Sequence, residues 1–335
     1  MADLVSLDEI RAAARRLDGV TVRTPLVPVL AARPVNLLVK PESLQPTGAF
    51  KLRGAYNAIA ALSGQARERG VVAHSSGNHG FAVAYAAAML GVKAVIVVPG
   101  NAPAVKTAAI ESAGAELVRV EPTLDARLAA SRHIADTRGY AEIPPFDHRD
   151  VIAGQGTIGL EIAEDFAARA DRAAPPAAVL VPVSGGGLIS GIAAAVTALS
   201  PETKVIGVEP ELAADARESL RAGTRVRWPA QDVTRTKADA LRVEQVGELP
   251  FAHMLEQVSN IVTVSEDEML AAIRRLARQA RLIAEPGGAV AVAAALFRGA
   301  SELGVATETD RPLVAVLSGG NIDPALLAAV LAADG

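Results

Sequence analysis

Short apolar runs alternate with longer amphipathic segments along most of the 335-residue chain. Runs rich in Val, Ile and Leu predict strands buried on both faces, whereas apolar residues three or four positions apart predict helices. Strands are predicted at residues 35–40, 71–74, 94–99, 116–120, 178–183, 204–209, 260–264 and 313–317. Helices are predicted at residues 49–62, 79–90, 103–113, 123–138, 153–169, 188–199, 266–283 and 287–298. This alternation indicates an α/β protein with parallel sheets flanked by helices.

Local signals mark some of the boundaries between these elements. Ser6 and Glu9 form a capping box that begins an additional helix, and Ser265 and Glu268 form another at the start of helix 266–283. The stretch 221–235 has the weakest periodicity, so we predict a long loop there. Residues 173–177 are rich in Ala and Pro and predict a linker.

Three Gly-rich turns follow predicted strands and lead towards helices or the chain end. They lie at residues 74–80, 184–188 and 318–321. Ligands of open α/β sheets bind at the carboxyl ends of the strands, and free N–H groups at helix N-termini attract anions. The sequence therefore predicts one cleft lined by Ser, Gly and Asn that suits a phosphate or a carboxylate.

Lysine is rare in this chain, although basic residues are not. Only six of the 33 basic residues are lysines, and the other 27 are arginines. The lysines are Lys40, Lys51, Lys93, Lys106, Lys204 and Lys237. A lysine can lose its proton and act as an amine, which an arginine cannot do, so each lysine is a candidate for chemistry.

Lys51 is the candidate with the most suggestive surroundings. It lies in the first turns of a predicted helix, beside Phe50 and after a Gly-containing loop. The positive end of the helix and the nearby Arg53 are both expected to lower the pKa of its ammonium group. An amine of lowered pKa is what a Schiff base requires, and an ordinary surface lysine is the alternative.

The composition excludes several classes of protein. The chain has no cysteine, so it has no disulfide framework and no thiol nucleophile. A net charge of −4 and 3% aromatic residues argue against nucleic-acid binding. The apolar runs are too short to span a membrane, and the N-terminal residues do not resemble a signal peptide. We therefore expect a cytoplasmic protein with a small-molecule substrate, without nucleic-acid or membrane partners.

A dinucleotide fingerprint is almost present at residues 185–190. Ser190 stands where the last glycine of that fingerprint belongs, and Glu209 ends the next predicted strand at a suitable distance for a ribose contact. A nicotinamide-dependent dehydrogenase therefore stays an alternative at this point.

Residues 42–55, Glu-Ser-Leu-Gln-Pro-Thr-Gly-Ala-Phe-Lys-Leu-Arg-Gly-Ala, resemble the lysine motif of fold-type II pyridoxal-phosphate (PLP) enzymes. The chain is most similar to the threonine dehydratase and serine racemase group. Further motifs of that group occur in the same order, at residues 24–26, 75–80, 151–157, 182–187, 285–289 and 318–321. Each motif alone is weak evidence for the family, but all of them occur in the same order and the resemblance covers nearly the whole chain.

This resemblance implies a two-lobed α/β fold, like that of the tryptophan synthase β chain. Residues 1–47 and 147–335 would form a large PLP-binding domain, and residues 48–146 a small mobile domain. The resemblance also implies a homodimer or homotetramer.

The resemblance assigns a PLP site to residues on the Gly-rich turns and around Lys51. Lys51 would bind PLP as a Schiff base, Phe50 would pack near the ring, and Asn78 would bind the ring 3-oxygen. Ser318 would face the pyridine nitrogen. The phosphate would be held by Ser184, Gly185, Gly186 and Gly187, with Leu188 starting the helix behind them.

Substrate and cation sites are implied in the same way. Ser75, Ser76, Asn78 and His79 would grip the substrate carboxylate, and Ser76 would act as an acid/base opposite Lys51. Arg127 would lie near the same carboxylate. Glu209, Asp215 and the carbonyl of Ala213 would bind Mg²⁺ or Ca²⁺, since hard cations prefer oxygen ligands. A solvated acidic helix start is the alternative for this last group.

The expected activity is that of an L-threonine or L-serine dehydratase, in which β-elimination of water from a 3-hydroxy amino acid gives a 2-oxo acid and ammonia. Serine racemisation is one alternative, and dehydration of 3-hydroxyaspartate or of another small hydroxy amino acid is another. Two departures from the family pattern bear on the substrate. Ala240 stands where Gly is usual, and Arg242 is an additional cation near the expected pocket.

Overall fold

The computed structural model describes residues 3–29, 36–75, 77–168, 174–306 and 311–333, except for the side chains of Val105 and Lys106. The described strands are β1 (Val27–Val29), β2 (Leu37–Pro41), β3 (Val71–His74), β4 (Ala94–Pro99), β5 (Glu116–Val120), β6 (Ala141–Glu142), β7 (Ala178–Pro182), β8 (Lys204–Pro210), β9 (Asn260–Val264) and β10 (Leu313–Leu317). They form a six-stranded sheet in the order β1-β2-β10-β7-β8-β9 and a four-stranded sheet in the order β5-β4-β3-β6. All neighbours are parallel except β1 and β2.

Helices connect the strands and cover both sheets. The described helices are α1 (Leu7–Leu17), α2 (Lys51–Ala61), α3 (Gly64–Arg69), α4 (Asn78–Met89), α5 (Ala104–Ser112), α6 (Leu124–Arg138), α7 (Arg149–Ala167), α8 (Gly187–Leu199), α9 (Asp215–Ala222), α10 (Ala230–Val233), α11 (Glu248–Gln257), α12 (Glu266–Arg275), α13 (Pro286–Phe297), α14 (Ala300–Leu303) and α15 (Pro324–Ala332). Within the described ranges, no helix is long and apolar enough to cross a membrane.

The predicted α/β class with parallel, helix-flanked sheets is confirmed, with corrections in detail. The antiparallel β1 and the two-residue β6 were not predicted, because neither has a long apolar run. The predicted helix 266–283 ends as an α-helix at Arg275, continues as a π-helical turn and stops at Arg281, whose φ is 59°. The predicted loop 221–235 contains the single-turn helix α10.

The core lies on both faces of the six-stranded sheet. In β7, Ala178 and Leu180 pack in one apolar cluster with α13, whereas Val179 and Val181 pack in another with α8. A strand with two buried faces explains why its sequence is continuously apolar rather than alternating. A third cluster joins the four-stranded sheet to α2 and α4.

Small residues allow α7 to pack closely against two other helices. A Cβ added to Gly154 would lie 2.6 Å from the carbonyl oxygen of Arg53 in α2, and one added to Gly191 of α8 would lie 2.3 Å from that of Ile152. Such distances are too short for any side chain. These glycines therefore allow α2 to pack closely against α7. Lys51 is the first residue of α2, so this packing positions it.

A buried network of four charged side chains anchors α2 on the side away from Lys51. Arg53 donates to Glu42 at 2.7 and 2.9 Å and to Glu161 of α7 at 2.6 and 3.1 Å. Lys40 of β2 donates to Glu161 at 2.6 Å. Lys40, Glu42 and Arg53 are all fully buried. Because two cations face two carboxylates, the network has no net charge. It joins β2, α2 and α7.

Candidate active site

Lys51 begins α2, and its side chain is partly buried. Its Nζ donates a 2.8 Å hydrogen bond to the carbonyl oxygen of Pro145 and lies 4.9 Å from the centre of the Phe50 ring. Burial lowers the pKa of Lys51 to about 8. The lowered pKa was predicted, but the predicted cause was wrong in part. Arg53 does not contribute, because Glu42 and Glu161 neutralise its charge.

The backbone before Lys51 is hydrogen-bonded to the loop after β10. The N–H of Phe50 donates to the carbonyl oxygen of Ser318 at 3.0 Å, and the N–H of Gly320 donates to that of Gly48 at 2.9 Å. Ala49 and Gly319 form an isolated bridge between these bonds. Ser318, which is 5% exposed, is thereby held beside Phe50 and Lys51.

The turn after β7 forms an anion cradle at the start of α8. Gly186, with φ of +93°, is the N-cap, and Gly187 is the first helical residue, one position earlier than predicted. The first N–H groups of a helix lack acceptors within it, so those of Gly187 and Leu188 are available to an anion. The Oγ of Ser184 is buried and has no hydrogen-bond partner among the described residues. These groups fit a phosphate.

Phe146 links this cradle to Lys51. A Cβ added to Gly185 would lie 2.2 Å from Cδ1 of Phe146, and one added to Gly187 would lie 2.9 Å from its Cα. The preceding residue, Pro145, is the one that accepts the Lys51 hydrogen bond. The predicted Schiff-base lysine and the predicted phosphate loop therefore share one wall.

The turn after β3 brings polar groups to the N-terminus of α4. The Oγ of Ser75 accepts from the N–H of Gly77 at 3.2 Å, and Asn78 is the first residue of α4. Ser76, the predicted acid/base, lies outside the described residues. A Cβ added to Gly80 would lie 1.9 Å from the carbonyl oxygen of Ser75, so this turn needs glycine to fold back on the helix.

His79 is buried below the same turn. Its Nε2 lies 2.8 Å from the carbonyl oxygen of Ile143, and its Nδ1 has no partner among the described residues. Burial, with a smaller contribution from the charge of Lys51, lowers the pKa of His79 to about 3. The ring is therefore neutral, with the proton on Nε2 facing the carbonyl oxygen.

Arg127 of α6 lies near the end of β3, where its charge acts on His74. It is half-buried, its Nε donates to the carbonyl oxygen of Thr123 at 3.3 Å, and no described acidic side chain pairs with it. Burial lowers the pKa of His74, and the charge of Arg127 adds to this effect. No hydrogen bond among the described residues joins Arg127 to Ser75, Asn78 or His79. Among the described residues, Arg127 is therefore a cation close to the turn that has no acidic partner.

The predicted cation ligands meet at the end of β8. Glu209 is fully buried and accepts from the N–H groups of Ala216 and Arg217 at 3.0 and 2.8 Å. Asp215 is also buried, and its Oδ2 has no partner among the described residues. Burial raises the pKa of Asp215 to about 7 and, together with the charge of Asp215, raises that of Glu209.

Glu218 is a further acidic neighbour of this pair, and its charge adds to the raised pKa of Asp215. The described part of the chain contains no group of three or more His, Cys, Asp or Glu side chains arranged around a metal position. The predicted site has only two carboxylates and the carbonyl of Ala213, whose residue is 1% exposed.

Arg242, the additional cation expected near the substrate pocket, is exposed. Its guanidinium donates to the carbonyl oxygen of Thr236.

The family described as "Pyridoxal-phosphate dependent enzyme" matches residues 17–319. The chain belongs to this family. The predicted family is thereby confirmed, and the nicotinamide alternative is set aside. The fit of a phosphate to the cradle at Ser184–Gly187 and the proximity of a desolvated amine agree with what PLP requires.

Relatives of this PLP-dependent family differ in activity. The chain is 40% identical to the L-threo-3-hydroxyaspartate ammonia-lyase of Saccharomyces cerevisiae, over 88% of both chains. It is 41% identical to the L-threonine ammonia-lyase of Thermotoga maritima, over 96% of this chain and 76% of that one. The structure of maize serine racemase is 33% identical and superimposes with a TM-score of 0.89, covering 97% of this chain and 96% of the other.

Two residues of this PLP-family site had no predicted role. Asn321 donates to the Oδ1 of Asn78 at 2.8 Å, and the carboxylate of Glu285 accepts from the Nδ2 of Asn78 at 2.7 Å. Both residues lie in motifs of the family resemblance, at residues 285–289 and 318–321. Their partners are more than 200 positions away along the chain, so no local pattern could assign them a function.

Proposed function

We propose that this protein is a PLP-dependent ammonia-lyase that removes water from L-threonine or L-serine and yields a 2-oxo acid and ammonia. The observation that carries the proposal is the desolvated amine of Lys51, whose pKa is about 8, beside a turn that can hold a phosphate. An amine with this pKa is partly unprotonated at neutral pH, so it can bind a carbonyl cofactor and afterwards accept a proton.

Each predicted residue has a function in this proposal. The N–H groups of Gly185–Leu188 and the hydroxyl of Ser184 bind the phosphate, and Phe50 and Ser318 flank the ring. Asn78 binds the ring oxygen. When bound, PLP supplies the electron sink for the negative charge that develops at the substrate Cα. Lys51 takes the Cα proton, because it is the basic group at this position of the cleft.

The turn at the start of α4 is proposed to bind the substrate carboxylate. Ser75 and Asn78 lie at a helix N-terminus, where N–H groups and the helix dipole favour an anion. Neutral His79 supports this turn from below through its bond to Ile143, and it adds no charge of its own. Ser76 is assigned here by resemblance alone.

Arg127 favours testing a dicarboxylic substrate. A half-buried arginine without an acidic partner among the described residues is an available site for a second carboxylate. The 40% identical relative from Saccharomyces cerevisiae is named for 3-hydroxyaspartate. Threonine and serine stay our first choice, because no hydrogen bond among the described residues joins Arg127 to Ser75, Asn78 or His79.

The decisive experiment combines cofactor binding with a substrate panel. The purified protein is incubated with PLP, treated with borohydride and digested, and the labelled lysine is identified. We expect Lys51 to be labelled, no label in Lys51→Ala, and full labelling in the control Lys237→Ala, which changes an exposed lysine. Labelling elsewhere, or no binding, would contradict the proposal.

The panel contains L-serine, L-threonine and both 3-hydroxyaspartates, with 2-oxo acid, ammonia and D-serine assayed together. Equal amounts of 2-oxo acid and ammonia from threonine or serine are expected. D-serine without pyruvate would indicate a racemase instead. A preference for hydroxyaspartate that disappears in Arg127→Met would assign Arg127 to the second carboxylate.

We also propose that Glu209, Asp215 and the Ala213 carbonyl bind Mg²⁺ or Ca²⁺. Two buried carboxylates with raised pKa values repel each other, and a divalent cation would relieve this repulsion. The unpartnered Oδ2 of Asp215 supports the proposal. Either ion should raise the melting temperature of the wild type but not of Asp215→Asn. An equal increase in both would assign the effect to another site.

The domain division at residues 48 and 146 stays a proposal supported by the separation of the strands. Strands β3–β6, within residues 71–142, form one sheet, and β1, β2 and β7–β10 form the other. The homo-oligomer and the cytoplasmic location are predictions that light scattering and cell fractionation would test.

A further inference from the structure

Asn78, Asn321 and Glu285 form a hydrogen-bonded chain across the cleft. Asn78 follows β3 of the four-stranded sheet, whereas Asn321 follows β10 and Glu285 precedes α13. The Nδ2 of Asn321 donates to the Oδ1 of Asn78 at 2.8 Å and to the carbonyl oxygen of Thr47 at 2.9 Å. The Nδ2 of Asn78 donates to the Oε1 of Glu285 at 2.7 Å.

The chemistry of the two ends fixes the orientation of both amides. The carbonyl oxygen of Thr47 can only accept, so Asn321 must turn its NH₂ towards it. That NH₂ also faces Asn78, which must therefore present its oxygen there and its own NH₂ towards the carboxylate of Glu285. One N–H of Asn78 remains without an acceptor among the described residues, in a direction set by the other bonds.

Glycines at three positions allow this chain to form. A Cβ added to Gly48 would lie 2.3 Å from Oδ1 of Asn321, and one added to Gly319 would lie 2.4 Å from Oε1 of Glu285. One added to Gly288 would lie 2.1 Å from the carbonyl oxygen of Gly319. A side chain at Gly48 or Gly319 would displace the amide of Asn321 or the carboxylate of Glu285, and one at Gly288 would collide with the backbone of Gly319.

We propose that Asn321 and Glu285 are positioning residues that orient the amide of Asn78 so that its remaining N–H is directed at the ring oxygen of PLP. This inference rests on the proposed function, because Asn78 binds that oxygen only if PLP occupies the cleft. Neither positioning residue needs to touch the cofactor. Asn321 also holds Thr47, so it couples the orientation of Asn78 to the loop that precedes Lys51.

The test measures the dissociation constant for PLP in a double-mutant cycle. Glu285→Ala and Asn78→Ala should each weaken PLP binding about five- to tenfold, as expected for one lost or misdirected hydrogen bond. In the Asn78→Ala background, Glu285→Ala should add less than about twofold, because it acts through Asn78. Glu285→Gln should bind PLP almost as the wild type does, because its amide oxygen still accepts. Fully additive effects, or no effect of Glu285→Ala, would refute the inference.

A matched glycine pair tests the same inference without removing a polar group. Gly48 and Gly19 both have φ of +71°, but a Cβ added to Gly19 would have no atom of another described residue within 4 Å, apart from its two chain neighbours. Alanine therefore costs the same backbone strain at both positions and displaces Asn321 only from position 48. We expect weaker PLP binding in Gly48→Ala alone. Equal PLP binding by the two variants would contradict the inference.

The state of the cofactor-free protein separates this inference from the proposed function. In the wild type, the two side-chain N–H signals of Asn78 should lie away from the NMR shifts of a free asparagine amide and exchange slowly with water, and in Asn321→Ala they should approach the free values. If the wild type does not bind PLP, the proposed function fails. The NMR result then still decides whether Asn321 orients Asn78, since unchanged signals in Asn321→Ala would refute that.

Discussion

The guanidinium of Arg53 and the carboxylate of Glu42 form a two-point ion pair, at 2.7 and 2.9 Å, in a fully buried position. Residues 51 and 53 point in roughly opposite directions from a helix, because successive residues are about 100° apart. The same first turn of α2 thus directs the guanidinium of Arg53 towards Glu42 and Glu161, and the amine of Lys51 towards the cleft and the carbonyl oxygen of Pro145.

Removing Arg53 should therefore destabilise the protein strongly. Arg53→Met leaves Glu42 and Glu161 buried without their shared partner, which typically costs about 3–5 kcal/mol of unfolding free energy. The control is Arg23→Met, since Arg23 also contacts two carboxylates but its side chain is 51% exposed. Such exposed pairs contribute less than about 1 kcal/mol. Chemical denaturation of both variants would test this, and similar losses would contradict it.

Lys51 should react with PLP in a pH-dependent way. Only the unprotonated amine forms a Schiff base, so the rate should rise with pH and be half-maximal near the pKa of about 8. Stopped-flow absorbance of the cofactor-free protein mixed with PLP measures this rate, and Lys51→Ala is the control. A midpoint near 10.4, where an ordinary lysine titrates, would show that Lys51 is not desolvated.

His79 should make the cofactor-free protein less stable in acid. Its pKa is about 3 in the folded protein, against an ordinary 6.5 in the unfolded chain. The contribution of the neutral ring is complete above pH 6.5 and is lost as the pH falls towards 3, because the unfolded chain binds the additional proton. His79→Gln keeps a donor for Ile143 and should reduce the slope by about 1.4 kcal/mol per pH unit between pH 6 and 4. An unchanged slope would contradict this.

Gly186 should be essential for phosphate binding, whereas Gly223 should not. Both have positive φ, but a Cβ at Gly186 would lie 2.6 Å from Met254 and 2.7 Å from Pro250. A Cβ at Gly223 would have no atom of another described residue within 4 Å, apart from its two chain neighbours. Alanine costs about 1–2 kcal/mol of backbone strain at either site, and at Gly186 overpacking adds about 1–3 kcal/mol. Gly186→Ala should weaken PLP binding at least tenfold, and Gly223→Ala should leave it unchanged. Equal PLP affinities would refute this.

Local sequence predicted most of the regular structure. Val71–His74 and Leu313–Leu317 are continuous apolar runs, and both are strands buried in parallel sheets. The capping boxes at Ser6 and Ser265 begin helices as predicted. These signals succeed because a buried strand and a helix cap depend on neighbours in sequence. The short antiparallel β1 has no such signal, since its place depends on pairing with β2.

The sequence by itself determined the family, the candidate lysine and the Gly-rich turns. Only the tertiary structure decided why the pKa of Lys51 is low, because burial depends on Pro145 and other residues far along the chain. Likewise, no local sequence pattern indicates that Arg53 pairs with Glu161, which lies 108 residues away. Sequence specifies which groups a protein has, whereas folding decides which of them lose water and which find partners.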